Sequence, residues 1–272
     1  MHVKSLLLLA AVLSSAPEKA PAPGGTSPRV VTICSDPWMP FAGDGPPDPD
    51  EGLVVTLGRE ALARFGHRVR YVVVPWSRCL ADVEAGRWDA VACADPREIP
   101  DAIYPVEPVG ASGPSLFTVT SSTWTYRGPS SLANVRLGAI RHYAYEDEID
   151  GWIRTHQTDP RHLFLAAGTD PLRRLLGMLV AGRIDVLVEN RHVARWAARV
   201  HGPGVAAIRE AGTAGPAVPI FIAFSRATPD GAELAREFDA GLRALYAQGR
   251  VAALLDRYGV EPWPRPAAGG AR

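Results

Sequence analysis

Arg97 is the side chain of this sequence best suited to hold an anion. It follows the apolar run at residues 89–94 and stands in the polar stretch that begins at Asp95. A guanidinium is a planar fork of N–H donors that can make two parallel hydrogen bonds to a carboxylate. We therefore predict that Arg97 binds a small carboxylate. The alternative is a solvated loop in which Arg97 pairs with Asp95 or Glu98.

Catalytic chemistry has little support in the residue pattern. The sequence has no GxSxG, HExxH or P-loop motif and no GxGxxG in a suitable setting. Glu107 and Glu189 are the only nearby carboxylates that could act as a general acid in a cleft. The acidic group at residues 146–148 is more simply explained as a solvated helix face. We predict a binding protein that needs no cofactor and no metal.

Charge and cysteine content restrict the partners. The formal net charge of +0 offers no basic excess to a phosphate backbone, so nucleic acid is excluded as an expected partner. The three cysteines follow no CxxC spacing, which argues against a zinc site. Cys34 ends the first predicted strand and Cys79 lies in the helix after the second, places that can come close in a parallel sheet. We favour a Cys34–Cys79 disulfide with Cys93 buried and free. A Cys79–Cys93 bridge and three reduced thiols are the alternatives.

Residues 1–16 have the layout of a secretory signal peptide: a positive start, the apolar run SLLLLAAVL and small residues at the end. Residues 17–28 are rich in Pro, Gly and Ala and predict a flexible tether, and residues 261–272 predict a flexible tail. We therefore expect an exported, periplasmic protein, in which oxidation of cysteines is possible.

Strands and helices alternate between these ends, which predicts an α/β fold. The predicted elements of the first half are strands at residues 30–34, 69–74, 89–94 and 115–120 and helices at residues 53–65 and 77–86. Those of the second half are strands at residues 135–140, 163–166, 185–188 and 219–225 and helices at residues 143–152, 172–180, 193–200 and 232–258, the last interrupted at Gly249. The βαβαβ order, used twice, implies two doubly wound sheets of mostly parallel strands.

The segments SDPWMPF, EAGRWDAVACADPRE, AGRIDVLVEN and FDAGLRALYAQGRVAALLDRYG resemble the periplasmic solute-binding proteins of family 3, the polar amino-acid type that serves ABC transporters. The resemblance covers residues 30–259, and VPWSRCL resembles the branch with a Pro-Trp-x-Arg element. It implies a two-lobed type II fold with two hinge strands, near Thr120 and Pro219. The lobes would be residues 29–119 with the return segment 218–260, and residues 120–217.

The resemblance also implies roles for individual residues. Trp38 matches an aromatic that covers the ligand, Trp76 a second aromatic wall, and Arg97 the arginine that grips the ligand carboxylate. The full set of predicted ligand-binding residues is Trp38, Trp76, Ala94, Asp95, Arg97, His142, Tyr143 and Asn190.

The second lobe departs from the family pattern. Asn190 stands where members that bind amino acids usually place an acid, and its amide supplies no counter-charge to an ammonium. Glu189 is adjacent, but on a strand it is expected to point to the opposite face. A turn of Arg141, His142, Tyr143 and Ala144 replaces the family's small hydroxylated element, although a helix N-terminus there could bind an anion.

The resemblance thus implies an exported monomer that closes over a small polar, carboxylate-bearing solute and delivers it to an ABC permease. Two alternatives remain on this fold. One is a soluble sensing partner of a signalling system. The other is an exported enzyme of the dehydratase kind, which rests on analogy of fold alone.

Overall fold

Ten strands and seven α-helices form within the residues that the computed structural model describes, which are 27–43, 50–168, 170–200 and 207–264. The predicted signal peptide, residues 17–26 of the tether and residues 265–272 of the tail lie outside these ranges. Residues 261–264 are the described part of the predicted flexible tail, and the flexibility of that tail stays a prediction. Trp263 is buried. Its indole N–H donates to the carbonyl of Pro108, just before β4, at 3.2 Å.

The first sheet has the strand order β2-β1-β3-β10-β4. Its strands are β1 (Val30–Ser35), β2 (Arg68–Val73), β3 (Ala90–Ala94), β4 (Gly110–Ser112) and β10 (Val218–Phe224), and its helices are α1 (Leu53–Ala63), α2 (Trp76–Glu84), α6 (Gly231–Ala247) and α7 (Arg250–Tyr258). β1 pairs in parallel with β2 and β3, whereas β10 is antiparallel to β3 and β4. Gly249, in the left-handed conformation at φ 69°, separates α6 from α7, as predicted.

The second sheet has the order β7-β6-β8-β5-β9 and repeats this plan. Its strands are β5 (Pro114–Val119), β6 (Leu137–Ile140), β7 (Leu163–Ala166), β8 (Val186–Asn190) and β9 (Ile208–Thr213), and its helices are α3 (Asp147–His156), α4 (Pro171–Val180) and α5 (Arg191–Val200). β6 pairs in parallel with β7 and β8, and β5 is antiparallel to β8 and β9. The side chain of Asp170 caps α4 by accepting from the Arg173 N–H at 3.2 Å.

The predicted two-lobed α/β fold is confirmed, with sheets of mixed strands flanked by helices. β4 and β9 have no counterpart among the predicted strands. Both are edge strands, and β4 is only three residues long, too short for an alternating pattern to show in the sequence.

The chain crosses between the sheets twice, and the two crossings touch. The first is the single residue Gly113, between β4 and β5, and the second is residues 214–217, between β9 and β10. A Cβ atom on Gly113 would lie 3.0 Å from the Cα of Ala217. Thr120, which we predicted near a hinge, instead follows β5 within the second sheet. The predicted lobe boundaries stay a prediction, although β5 hydrogen-bonds to the second sheet rather than the first.

Candidate functional site

The carboxyl ends of four parallel strands face one another across the gap between the sheets. β1 and β3 end on one side and β6 and β8 on the other, and the segments that follow them enclose a cavity of about 40 Å³. Ligand sites of open α/β sheets lie at this edge. The side chains from the first sheet that line the cavity include Ser35, Asp36, Trp38, Trp76, Cys93, Asp95, Arg97 and Glu98, and those from the second include Tyr143, Tyr145, Glu146, Glu189 and Asn190.

Arg97 is paired on both sides of the gap. Its Nε lies 3.0 Å from Asp95 Oδ1 within the same loop, and its terminal nitrogen lies 2.9 Å from Glu146 Oε1 of the second sheet. The hydrogen bonds to Asp95 and the nearby carboxylates raise the pKa of the guanidinium further above its usual range. The Asp95 pairing is the alternative that the sequence left open. The side chain is still 38% exposed, so solvent and solutes can reach it.

Three further hydrogen bonds join the two sheets around the cavity. The Trp38 indole N–H donates to Glu189 Oε1 at 3.0 Å, and the Tyr143 hydroxyl donates to Asp36 Oδ2 at 2.7 Å. The backbone N–H of Ala144 donates to Glu98 Oε1 at 3.1 Å. Every one of these bonds has a carboxylate as the acceptor, so the contact between the sheets depends on the protein's own acids.

Two tryptophans form aromatic walls, and each is held by local structure. Trp38 stacks on Phe41 at 4.9 Å between ring centres, within a turn closed by the Trp38 N–H and the Ala42 carbonyl at 2.8 Å. Trp76 is the first residue of α2 and meets the ring of Tyr143 edge-on at 5.9 Å. The Cys34–Cys79 disulfide fastens α2 to β1 and so keeps Trp76 beside the end of that strand.

The disulfide prediction is confirmed, with the two Cα atoms 5.7 Å apart. Cys93 is buried and free, also as predicted. It lies at a bulge in the pairing of β3 with β10 and has φ 67°, a conformation that turns it toward the cavity. Among the described residues, no group of three or more His, Cys, Asp or Glu side chains is arranged to hold a metal ion.

Burial raises the pKa of three acids in the cavity wall, Asp36, Glu98 and Glu189. Desolvation raises the pKa of Asp36 to about 7 and that of Glu189 to about 7, against the partial compensation of the hydrogen bonds they accept. The same cause raises the pKa of Glu98 to about 8. The charge of Asp36 contributes to the raised pKa of both Glu98 and Glu189.

Glu189 and Asn190 differ from the sequence expectation. Glu189 lines the cavity and is 1% exposed, whereas we expected it to point away from the face that Asn190 occupies. The reason is that β8 ends at Asn190 and α5 begins at the next residue. Asn190 Oδ1 accepts from the His192 N–H at 2.8 Å, so its side chain caps the helix rather than continuing the alternation of the strand.

Two predicted ligand residues do not line the cavity. Ala94 is fully buried within β3, opposite Phe221 of β10. His142 is exposed and borders a smaller cavity of about 20 Å³ beside Trp76. The other six predicted residues, Trp38, Trp76, Asp95, Arg97, Tyr143 and Asn190, line the main cavity, and their contact with a ligand stays a prediction.

The turn after β6 also differs from the prediction. α3 begins at Asp147 rather than at Tyr143, and its first turn carries Asp147, Glu148 and Asp150. An acidic first turn opposes the binding of an anion at the helix N-terminus, which corrects that expectation. Glu146 precedes the helix and reaches across to Arg97, so it is not part of a solvated face.

Asp36, Glu98 and Glu189 line the cavity but are not among the ligand-binding residues predicted from the sequence. From the sequence, Glu189 is only a possible cleft acid, together with Glu107, which does not line the cavity. A signal existed for Asp36, because it is the first charged residue after a buried strand. Glu98 is part of the site because it contacts the second sheet through Ala144, and a local sequence pattern does not predict such a contact.

Comparisons with known proteins agree with this geometry. The family model of the bacterial extracellular solute-binding proteins, family 3, matches residues 31–261. No curated protein sequence matches the chain. No helix of the described residues is long and apolar enough to pass through a bilayer.

Solved structures share the fold at low sequence identity. A structure from a study of glutathione import via GshT and the cystine ABC importer TcyBC of Streptococcus mutans has a TM-score of 0.71 at 13% identity, covering 88% of this chain and 98% of that one. AbpA of Streptococcus pneumoniae, an amino acid ABC transporter substrate-binding protein bound to L-arginine, has a TM-score of 0.66 at 17% identity, covering 86% and 97%. A histidine kinase sensor domain similar to periplasmic binding proteins has a TM-score of 0.68 at 19% identity, also covering 86% and 97%. From the family match and the two-lobed fold together, the chain belongs to the bacterial extracellular solute-binding proteins of family 3.

Proposed function

We propose that this protein is an exported receptor that closes its two lobes over a small polar, carboxylate-bearing solute and delivers it to an ABC permease. Export rests on the signal-like residues 1–16 and on the extracellular character of the family. The observation that carries the proposal is the set of hydrogen bonds that join the lobes around one cavity at the strand ends.

Arg97 is the group that supports a carboxylate in the solute. It is the one cation among the described residues that line the cavity, and its side chain is partly exposed. Its bond to Glu146 crosses between the lobes, so a solute carboxylate would take the place of Glu146 on the same guanidinium nitrogen. Asp95 would keep its hydrogen bond to Arg97 Nε and so hold the guanidinium in its orientation.

Closure is a necessary part of this function. A cavity of about 40 Å³ has room for only about three water molecules at roughly 10–15 Å³ each. A solute of amino-acid size needs more space, so the lobes must separate to admit it and then close on it. Rotation at Gly113 and at residues 214–217 would provide this motion, because only these two segments connect the sheets.

A sensing role is the second candidate. The histidine kinase sensor domain shares this fold over nearly its whole length. A signalling partner, instead of a permease, would then bind the closed form of this protein. Neighbouring permease and ATPase genes would favour transport over sensing.

A thermal-shift screen over amino acids, amines, organic acids and sugars tests the proposal. A solute at about 100 times its dissociation constant adds roughly 2.7 kcal/mol to the free energy of unfolding. Arg97→Ala is expected to weaken binding of a carboxylate solute by about 2–5 kcal/mol, because the carboxylate is left buried without its partner. Isothermal titration calorimetry measures the loss.

Arg161→Ala is the matched control, since Arg161 pairs with Asp159 on an exposed loop outside the cavity. An affinity that is unchanged in Arg97→Ala would remove Arg97 from the site. Failure of every solute class to stabilise the protein would overturn the proposed receptor function.

A further inference from the structure

We infer that His156 and His162 form a binding site for a divalent transition metal ion of the Ni²⁺, Cu²⁺ and Zn²⁺ class, at the end of the second sheet opposite the cavity. His156 is the last residue of α3, and His162 directly precedes β7. β7 runs parallel to β6, whose carboxyl end faces the cavity, so β7 begins at the other end of the sheet. This site is separate from the proposed solute site and goes beyond the receptor function.

Each imidazole is held by its Nδ1 atom and presents its Nε2 atom. His156 Nδ1 lies 2.9 Å from the carbonyl oxygen of Trp152, and His162 Nδ1 lies 3.0 Å from Asp159 Oδ2. Both partners are acceptors, so in the neutral ring Nδ1 carries the proton and Nε2 has the lone pair. No described residue hydrogen-bonds to either Nε2 atom. Histidines that bind a metal have this arrangement, with the other ring N–H donated to a carbonyl or a carboxylate.

The spacing of the two rings suits one shared metal ion. The ring centres are 5.2 Å apart and the ring planes are inclined by 56°. A metal bound at about 2.1 Å from each nitrogen lies roughly 3.2 Å from each ring centre, and a tetrahedral angle then separates the centres by roughly 5 Å. Imidazole nitrogens are ligands that Ni²⁺, Cu²⁺ and Zn²⁺ prefer, whereas Mg²⁺ and Ca²⁺ prefer oxygen.

The surroundings hold the two rings in place and favour a cation. His156 stacks on Trp152 at 3.8 Å between ring centres, and His162 meets the same indole edge-on at 6.3 Å. Ligands that are already ordered lose less entropy when the metal binds. The site lies at the carbonyl end of α3, where the helix carries a partial negative charge. The side chain of His162 is 29% exposed, so an ion from solution can reach it.

Two protein ligands leave the other coordination positions of the metal open. Asp159 is occupied by Arg161 and His162 and orients the second imidazole instead of binding the ion. No third His, Cys, Asp or Glu side chain completes the set within the part of the chain that the structure describes. Structural zinc sites have four protein ligands, so we expect an exchangeable ion with water in the open positions. The prediction of no zinc site rests on the cysteines, and none of them takes part here.

Isothermal titration calorimetry of the full chain, prepared without a polyhistidine tag, tests the site with the chlorides of Ni²⁺, Cu²⁺, Zn²⁺ and Mg²⁺. We expect the three transition metals to bind, Cu²⁺ most tightly, and Mg²⁺ not to bind. Electron paramagnetic resonance of the Cu²⁺ complex measures the number of bound imidazole nitrogens, which we expect to be two.

His162→Gln removes one ligand. It is expected to raise the dissociation constant of the transition metals by about tenfold or more, since even the loss of a group that only orients a ligand costs about 10–100-fold. One nitrogen should also disappear from the Cu²⁺ spectrum, a change that a merely structural histidine would not cause. His156→Gln provides a second variant should the first fold poorly. His192→Gln is the matched control, because the ring of His192 contacts Phe41 instead of a second imidazole.

Metal affinities that neither variant of the pair changes would overturn the site, and so would an equal loss in the control. Binding of Mg²⁺ as tight as that of Ni²⁺, or no binding of any transition metal at about 1 mM, would also overturn it. The variants should leave solute affinity unchanged, because neither histidine lines the cavity. Failure of the metal site therefore leaves the receptor function standing, and failure of the solute screen leaves the metal site standing.

Discussion

The carboxyl groups of Asp36 and Glu189 give this protein a pH dependence that exposed acids would not. Both side chains are at most 2% exposed, and burial raises the pKa of each to about 7. An acid with a raised pKa in the folded state binds its proton more tightly there than in the unfolded chain. Its contribution to stability is therefore complete below the unfolded pKa, near 4, and is lost as pH rises through 7.

We accordingly expect the free energy of unfolding, without added solute, to fall between pH 5 and pH 8 by roughly 3 kcal/mol for each of the two groups. Urea unfolding at a series of pH values measures this fall. Glu189→Gln removes one titrating group, so its stability should decline less over the same range. Parallel curves for the variant and the natural protein would show that Glu189 ionises like an ordinary acid.

The Cys34–Cys79 disulfide determines the position of α2 and of Trp76 at its start. α2 is only nine residues long and carries Trp76 at its first position, and Cys79 one turn later ties the helix to β1. Helices this short are not stable in isolation, so the covalent link and the packing of Leu80 and Val83 hold α2 in place.

Replacing both bridged cysteines by serine should lower the free energy of unfolding by about 2–4 kcal/mol, because the loop of 45 residues gains freedom in the unfolded chain. Solute affinity should also fall, since Trp76 loses its tether. Urea unfolding and calorimetry measure the two effects. For the stability measurement, Cys93→Ala is the control that removes a cysteine without breaking a bond, and equal stabilities of the two variants would contradict the role of the bridge. Cys93 lines the cavity, so this control does not apply to solute affinity.

The two crossings between the sheets lie in contact, so the lobe rotation proposed above would involve both of them together. A Cβ atom at Gly113 would lie 3.0 Å from the Cα and 3.2 Å from the Cβ of Ala217, so a side chain there must push the second crossing aside. The bond between the Asn190 amide and the Ser112 hydroxyl, at 3.3 Å, joins the same region to the end of β8. The proposed motion of the lobes would therefore depend on how these few residues pack.

Gly113→Ala should destabilise the protein by about 1–3 kcal/mol, the usual cost of overpacking, and should hinder closure on a solute. Small-angle X-ray scattering with and without the solute found in the screen measures closure as a decrease in the radius of gyration. Gly177→Ala is the matched control, because a Cβ at Gly177 in α4 meets no atom within 4 Å. Normal closure of the Gly113 variant would place the joint elsewhere.

The residue pattern alone predicted the helices, every strand except β4 and β9, the two-lobed α/β fold, the interruption at Gly249 and the place of Arg97 at a strand end. These features depend on the spacing of apolar residues and on turn residues, and both can be read from short stretches of the sequence. The Cys34–Cys79 pairing was also within reach, because a parallel βαβ unit brings those two positions together.

The charge of the site, by contrast, depends on tertiary contacts. Glu146, Glu98 and Asp36 meet their partners across the gap between the lobes, at separations of 46 to 107 residues along the chain. Glu189 lies in the cavity because α5 begins immediately after β8 and takes Asn190 as its cap. The pKa of a carboxyl group depends on its burial and on charges from residues far away in the sequence. Both are fixed only when the two lobes come together. The sequence therefore predicted Arg97 as an anion-binding residue but did not show the acids that surround it.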